Sequence, residues 1–441
     1  MFSQRVGFFP PAATVSPFVG STITTSTNIL YPYTQYSTSS MAYVGPDNAN
    51  RPVFLFIFVE PGTGVVKGQA IRINDNGTIF QGYTTELDTT GGASHTVAVT
   101  SEYQGAGSFG NTSSPANRWY CSYTKPGTQR LTALFGRVDV NDSQLIVNRV
   151  RPPLALTFGS TDGDLPVAVF LGRRPATVAP DNNPTQFQVL FGMRTGGGFV
   201  TQRYFTDGAS VLTAQGPAQI PNGGNTDSAA LGFAPDLTVV KTNTIFRSGF
   251  WNTGGGGQTT VAAVMNSFYA NTSPPAVNNQ TPIVTSPSIL DTSTYNQACN
   301  LNSTNKFIGV SYLAPNSLNL TVVDVNWGAA GALIFPTPTV GAFVSAGLAG
   351  ATQPAVVSGF TNDTAFLVQS PLGASSLTYA DITVSGTVPT IGSTQTLFGG
   401  LSNCQGPPIL ATAKIGTKTY MAGIQSRSGS NTPYVFGVRF T

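Results

Sequence analysis

The chain has 441 residues, of which 49 are glycine and 31 proline, and only 9% are charged against 40% hydrophobic. So many small and helix-breaking residues exclude long helices, and so little charge excludes a disordered polyelectrolyte. The net charge of +3, from 21 basic and 18 acidic residues, is too balanced to direct the chain onto nucleic acid or an anionic membrane.

Residues 1–47 are expected to form an extended arm rich in Ser, Thr and aromatics, with Phe2, Phe8, Phe9, Phe18, Tyr31, Tyr33, Tyr36 and Tyr43 as the residues able to anchor it. With Arg5 as its one basic residue and no core of its own, the arm must lie against a surface already folded. That surface is expected to belong to a neighbouring subunit, which would make the arm an assembly element. The rival is a strand that closes the fold within the same chain. Pro10 and Pro11 interrupt the apolar start before it reaches the length of a secretory signal, and Pro336, Pro338 and Pro354 break up the most apolar stretch. Neither a leader nor a membrane-inserted segment is expected.

Residues 48–441 alternate short apolar runs with Gly, Pro, Asn and Asp clusters, the pattern of strands and tight turns. Gln69–Ile73, then Asn74-Asp75-Asn76-Gly77, then Thr78–Phe80 predicts a hairpin; Trp119–Tyr123 and Arg130–Val138 predict a second. Gly196–Gly198 and Gly254–Gly257 read as hairpin tips, because no helix follows either run to make a phosphate loop. Apolar openings begin at Pro52, Trp119, Pro166, Leu237, Phe307, Ala355 and Ile409, about 50 to 70 residues apart, near the ~40 to 50 residues of a propeller blade. The expected fold is therefore all-β, a β-propeller of seven four-stranded blades with an extended N-terminal arm; two jelly rolls are the rival.

Chemistry is sparse. His95 is the one histidine, so a Ser-His-Asp site has a single possible base and a two-histidine metal site has none. Asp162-Gly163-Asp164 lacks the remaining spaced oxygen ligands of a calcium loop and is ordinary turn chemistry. Cys121, Cys299 and Cys404 are too far apart in sequence for a zinc motif and are expected as buried thiols. No catalytic residue, metal or cofactor is expected. Trp251 and Asn252, beside the Gly254–Gly257 run, with the adjacent Arg173 and Arg174, are the expected contacts to a glycan or partner.

Val66-Lys67-Gly68-Gln69-Ala70-Ile71-Arg72-Ile73-Asn74 with Asn76-Gly77-Thr78 resembles the Lys-Gly-x-x-Val and Asn-x-x-Gly-Thr openings of structural and tail-associated proteins of tailed bacteriophages, with Ile71 where Val would stand. Phe307–Val325 and Leu377–Thr387 look like the repeats of virion β-propellers. The resemblance implies a non-enzymatic structural or host-attachment component on a virus particle's surface. Its partners would be other virion proteins, copies of itself or a host-surface glycan. A lectin-like propeller or a jelly-roll capsid protein is the alternative reading.

Overall fold

The computed structural model describes residues 41–60, 62–92, 97–103, 117–125, 130–141, 143–156, 354–370, 375–404, 406–427 and 430–440. Between 163 and 347 it describes the strands given below with residues 301, 341 and 342, and of the first 40 residues it describes 17–18 and 24–25. No helix occurs among the described residues, so none there is long and apolar enough to cross a membrane.

The strands β1 (Pro17–Phe18) and β2 (Thr24–Thr25) come first. Behind them the chain builds antiparallel sheets in order. The first holds β3 (Met41–Pro46), β4 (Pro52–Val59), β5 (Val66–Ile73), β6 (Ile79–Gln81) and β7 (Thr85–Asp88). The second holds β8 (Val97–Ser101), β9 (Arg118–Lys125), β10 (Arg130–Val140), β11 (Leu145–Arg149) and β12 (Leu154–Leu156). The third has β13 (Gly163–Arg173), β14 (Phe187–Thr195), β15 (Gly198–Thr206) and β16 (Leu212–Gln219). The fourth has β17 (Thr226–Pro235), β18 (Thr244–Thr253), β19 (Thr259–Ala262), β20 (Asn266–Tyr269) and β21 (Val284–Thr285). In the fifth are β22 (Tyr295–Asn300), β23 (Lys306–Leu313), β24 (Ser317–Asn326), β25 (Thr337–Val340) and β26 (Val344–Gly347). The sixth comprises β27 (Ala355–Ser358), β28 (Thr364–Gln369), β29 (Ser376–Ser385), β30 (Val388–Ile391) and β31 (Gln395–Gly399). The seventh comprises β32 (Ile409–Ile415), β33 (Lys418–Arg427) and β34 (Ser430–Phe440), with β1 and β2 paired to β34.

Within a sheet the consecutive strands follow one another as a meander, and in five sheets the outer strand is broken into two pieces on the same neighbour, as β6 and β7 are on β5. First strands lie against first strands: β3 contacts β8, β8 contacts β13, β13 contacts β17, β17 contacts β22, β22 contacts β27, β27 contacts β32, and β32 contacts β3 again. Side-chain hydroxyls tie some of these contacts, Ser101 Oγ donating to the Tyr43 carbonyl and Thr412 Oγ1 to the Ser358 carbonyl at 3.0 Å.

β4 shows why the sheets stand side by side. Every residue of Pro52-Val53-Phe54-Leu55-Phe56-Ile57-Phe58-Val59 is buried, and successive side chains point to opposite faces. Val53, Leu55, Ile57 and Val59 pack with Val97, Trp119, Cys121 and Leu134 of the second sheet. Phe54, Phe56 and Phe58 pack with Ile409, Tyr420, Ala422 and Val435 of the seventh. A strand buried on both faces loses polar alternation and becomes continuously apolar. Equivalent apolar layers lie between the second and third sheets, the fifth and sixth, and the sixth and seventh.

Both predicted hairpins form, β5 to β6 around Gly77, whose φ of 80° only glycine adopts freely, and β9 to β10. The two glycine runs connect paired strands, β14 to β15 and β18 to β19. Six apolar openings fall in six different sheets, whereas Leu237–Val240 lies outside the described residues. Meander sheets, not two jelly rolls, are what the strand order gives. One boundary moves: the arm expected to run to residue 47 overlaps β3, and Tyr43 is a core residue packed on Phe54 and Tyr103. Its signal, four apolar residues before Gly45-Pro46, is short because β3 has only six residues. Phe18 stands in β1 opposite Arg439 of the same chain. Phe2, Phe8, Phe9, Tyr31, Tyr33 and Tyr36 lie outside the described residues.

Two-faced burial makes a specific prediction for neighbouring residues of β4. Leu55→Ala and Phe56→Ala should each lower unfolding free energy by about 2 to 5 kcal/mol in urea titrations. If one of the two costs under about 0.5 kcal/mol, that face of β4 meets solvent.

Candidate functional site

The meander gives the sheets two chemically distinct ends. Turns from second to third strand, and the connections between sheets, leave from one end; turns from first to second and from third to fourth strand leave from the other. Contacts confirm the sorting. At the connection end Gly92 N donates to Thr63 O, Leu401 N donates to Ser375 O, and Cys404 bridges to Arg427.

The turn end is used to lock sheets together. Arg72, buried, reaches Asp47 at 3.4 Å within the first sheet and the Asn141 carbonyl of the second at 3.1 Å. Asp75 of the first sheet pairs with Lys418 of the seventh at 2.6 Å, and Arg439 donates to the Asp75 carbonyl. Asp363 of the sixth sheet takes Lys306 of the fifth at 3.3 Å and donates its backbone N–H to Leu301 O.

The connection end has a locked inner group and an open outer one. Asp88 ends β7, and Thr90 donates to its carboxylate from both backbone and hydroxyl, the turn chemistry expected of Asp-Thr-Thr-Gly-Gly. Lys125 joins it at 2.7 Å and the Tyr123 hydroxyl donates to it, both from β9 of the next sheet. Burial opposes charge on Asp88, but the hydrogen bonds from Lys125, Thr90 and Tyr123 together outweigh burial and hold its pKa down at about 2. Burial first, and the Asp88 carboxylate second, push the Tyr123 phenol well above its ordinary range, so it stays protonated. This set clamps two sheets, with Asp88 charged and Tyr123 protonated near neutrality. Outside it, Lys67 lies 2.7 Å from Glu60 and 3.6 Å from Glu86, with the Thr63 hydroxyl on the second Glu60 oxygen at 2.8 Å. The Lys67 hydrogen bond lowers the Glu60 pKa. Glu86 is exposed, so this trio offers carboxylate acceptors and an ammonium donor to a polar ligand.

Trp251 and Asn252 stand at the end of β18 that leads into Gly254–Gly257, hence at the connection end, opposite Ala229 and Val261 for Trp251 and Thr260 for Asn252. Arg173 ends β13, a first strand, and so belongs to the turn end; Arg174, His95 and Asp162 lie outside the described residues. Trp251 and Asn252 therefore do not share an end with Arg173. Asp164 sits in β13 opposite Arg194. Cys121 and Cys404 are buried free thiols, and burial raises both pKa values. Among the described residues no three His, Cys, Asp or Glu side chains converge as metal ligands would. Sequence reasoning missed the Asp88 clamp, whose members Asp88 and Tyr123 are 35 residues apart; only the Asx turn at Asp88 was visible.

No protein-family model matches the chain, and no curated protein matches it. Among solved structures it is similar to the fucose-specific lectin from Aleuria aurantia, at 10% identity over 73% of this chain and 91% of that one, with a TM-score of 0.39. It is also similar to AofleA from Arthrobotrys oligospora, at 8% identity over 79% and 88% of the two chains, TM-score 0.42. A third is the subtype N11 neuraminidase-like protein of A/flat-faced bat/Peru (H18N11), at 9% identity over 97% and 93%, TM-score 0.40.

Asp88→Asn should destabilise the fold by about 2 kcal/mol at pH 7 in urea titrations, since a carboxylate held near pH 2 stabilises the native state. The depressed pKa means this stabilisation is complete above about pH 4 and lost as pH falls toward 2. The two proteins should therefore converge in stability at pH 2. A gap unchanged at pH 2 would mean that the Asp88 charge is not the source.

Proposed function

We propose that the chain is a seven-bladed β-propeller acting as a non-enzymatic carbohydrate-binding module, which takes its ligand at the connection end. The observation that carries this reading is the position of Trp251-Asn252: an aromatic and an amide adjacent at a strand end, immediately before a glycine run. A sugar presents an apolar C–H face, and an aromatic platform at a strand end suits it. Glu60, Lys67 and Glu86 place carboxylates and an ammonium at the connection end of the first sheet, a set apart from Trp251 of the fourth.

A second reading, a structural or host-attachment component on a virus particle that meets copies of itself, draws on the strands β1 and β2, which complete the edge of β34. The two readings are compatible, because attachment to a host surface is itself a glycan contact. The likeness at Val66–Thr78 adds little, since those residues are β5 and its turn, a hairpin whose Asn-Gly chemistry follows from the φ of Gly77.

A glycan array tests the binding reading. The protein should retain a class of neutral sugar, with affinity falling at least about tenfold in Trp251→Ala, roughly 1.4 kcal/mol, and unchanged in Arg173→Ala. An array with no retained sugar, or equal binding by Trp251→Ala, overturns it.

A further inference from the structure

β34 is bounded by β33 on one side and by the N-terminal strands on the other, with Pro17 opposite Phe440, Phe18 opposite Arg439, Thr24 opposite Val435 and Thr25 opposite Tyr434. The register makes β1 and β2 two pieces of one outer strand, as β30 and β31 are on β29. The described residues of the seventh sheet face both neighbouring sheets. Leu410, Met421, Phe436 and Val438 pack toward the sixth sheet, and Ile409, Tyr420, Ile424 and Val435 toward the first. The N-terminal strands cover the free edge of β34.

That edge needs cover. Tyr434-Val435-Phe436-Gly437-Val438 with unpaired backbone groups along one side would be a template for any extended chain. The tether that brings the cover is long. Residues 26–40 separate β2 from β3 and extend to about 50 Å, against a β34 of 11 residues, about 36 Å. We propose that the N-terminal strands exchange between copies, β1 and β2 of one chain completing the β34 edge of a second copy. The backbone pairs made are the same in either arrangement, so contacts do not choose between them. Concentration does: a tether within one chain supplies an effective concentration, in the millimolar range for short linkers, that falls as the tether lengthens. Exchange is accordingly favoured where copies are crowded, as in an assembled particle, and the reciprocal form closes as a symmetric pair. The inference rests on the assembly reading above and not on sugar binding.

Full-length chains carrying Thr24→Cys alone and Val435→Cys alone are mixed, held at concentrations from about 1 µM to about 1 mM, and oxidised. Opposed residues on antiparallel strands lie within disulfide reach. The expected result is a disulfide-linked heterodimer whose fraction rises with concentration, and none between Thr24→Cys and Val388→Cys, an exposed position on the sixth sheet. The doubly substituted chain should link within itself when dilute, which checks that the arm seats on β34. A double variant that links internally while the mixed single variants never link would overturn exchange. A double variant that links at no concentration overturns the seating itself. Glycan retention is a separate readout, so failure of the sugar reading leaves this result untouched.

Discussion

Burial of both faces of a sheet, shown most fully by the first, is the constraint from which the rest follows. β4 places valine, leucine and isoleucine on one side and three phenylalanines on the other, and neither set meets water. A four- or five-stranded sheet cannot satisfy that alone, so it requires a sheet against each face. Applied along the chain, the requirement leaves the first and last sheets each with one bare face. They meet each other: Phe54, Phe56 and Phe58 of β4 share one apolar layer with Ile409, Tyr420 and Ile424 of β32 and β33. Charge then acts as a lock on this arrangement, joining residues hundreds of positions apart such as Asp75 and Lys418.

Much of this is legible in the amino-acid sequence. Turn residues with positive φ mark the hairpins, and six apolar openings fall in six different sheets. Phase is what the pattern misplaces. Pro52, Trp119 and Phe307 open second strands, because an interior strand buried on both sides is the most apolar text in its sheet. The first strand beside it is shorter and mixes in Gly, Ser and Thr, as Met41–Pro46 and Val97–Ser101 do. For that reason Tyr43 reads as part of an arm when it is core.

The candidate site is less legible for a physical reason. Asp88 and Lys125, or Asp363 and Lys306, are partners only because adjacent sheets bring their ends together, and no local pattern records that neighbour. Trp251 and Asn252 are visible through their place beside a glycine run, while their separation from Arg173 follows only from knowing which strand is first and which second. Both ends spend charge on cohesion, Asp75 with Lys418 at one and Asp88 with Lys125 at the other, and the connection end also carries the exposed Glu86 carboxylate and Trp251.

Adjacency of the first and seventh sheets is the central claim, and zero-length carbodiimide coupling reads it directly. In the monomer, the Asp75 carboxylate and Lys418 ammonium at 2.6 Å should form an amide, found by mass spectrometry as a cross-link between peptides from opposite ends of the chain. Coupling of Glu60 to Lys67 within the first sheet serves as the internal standard. If that standard forms and the Asp75–Lys418 link does not, the first and last sheets are not neighbours and the account fails.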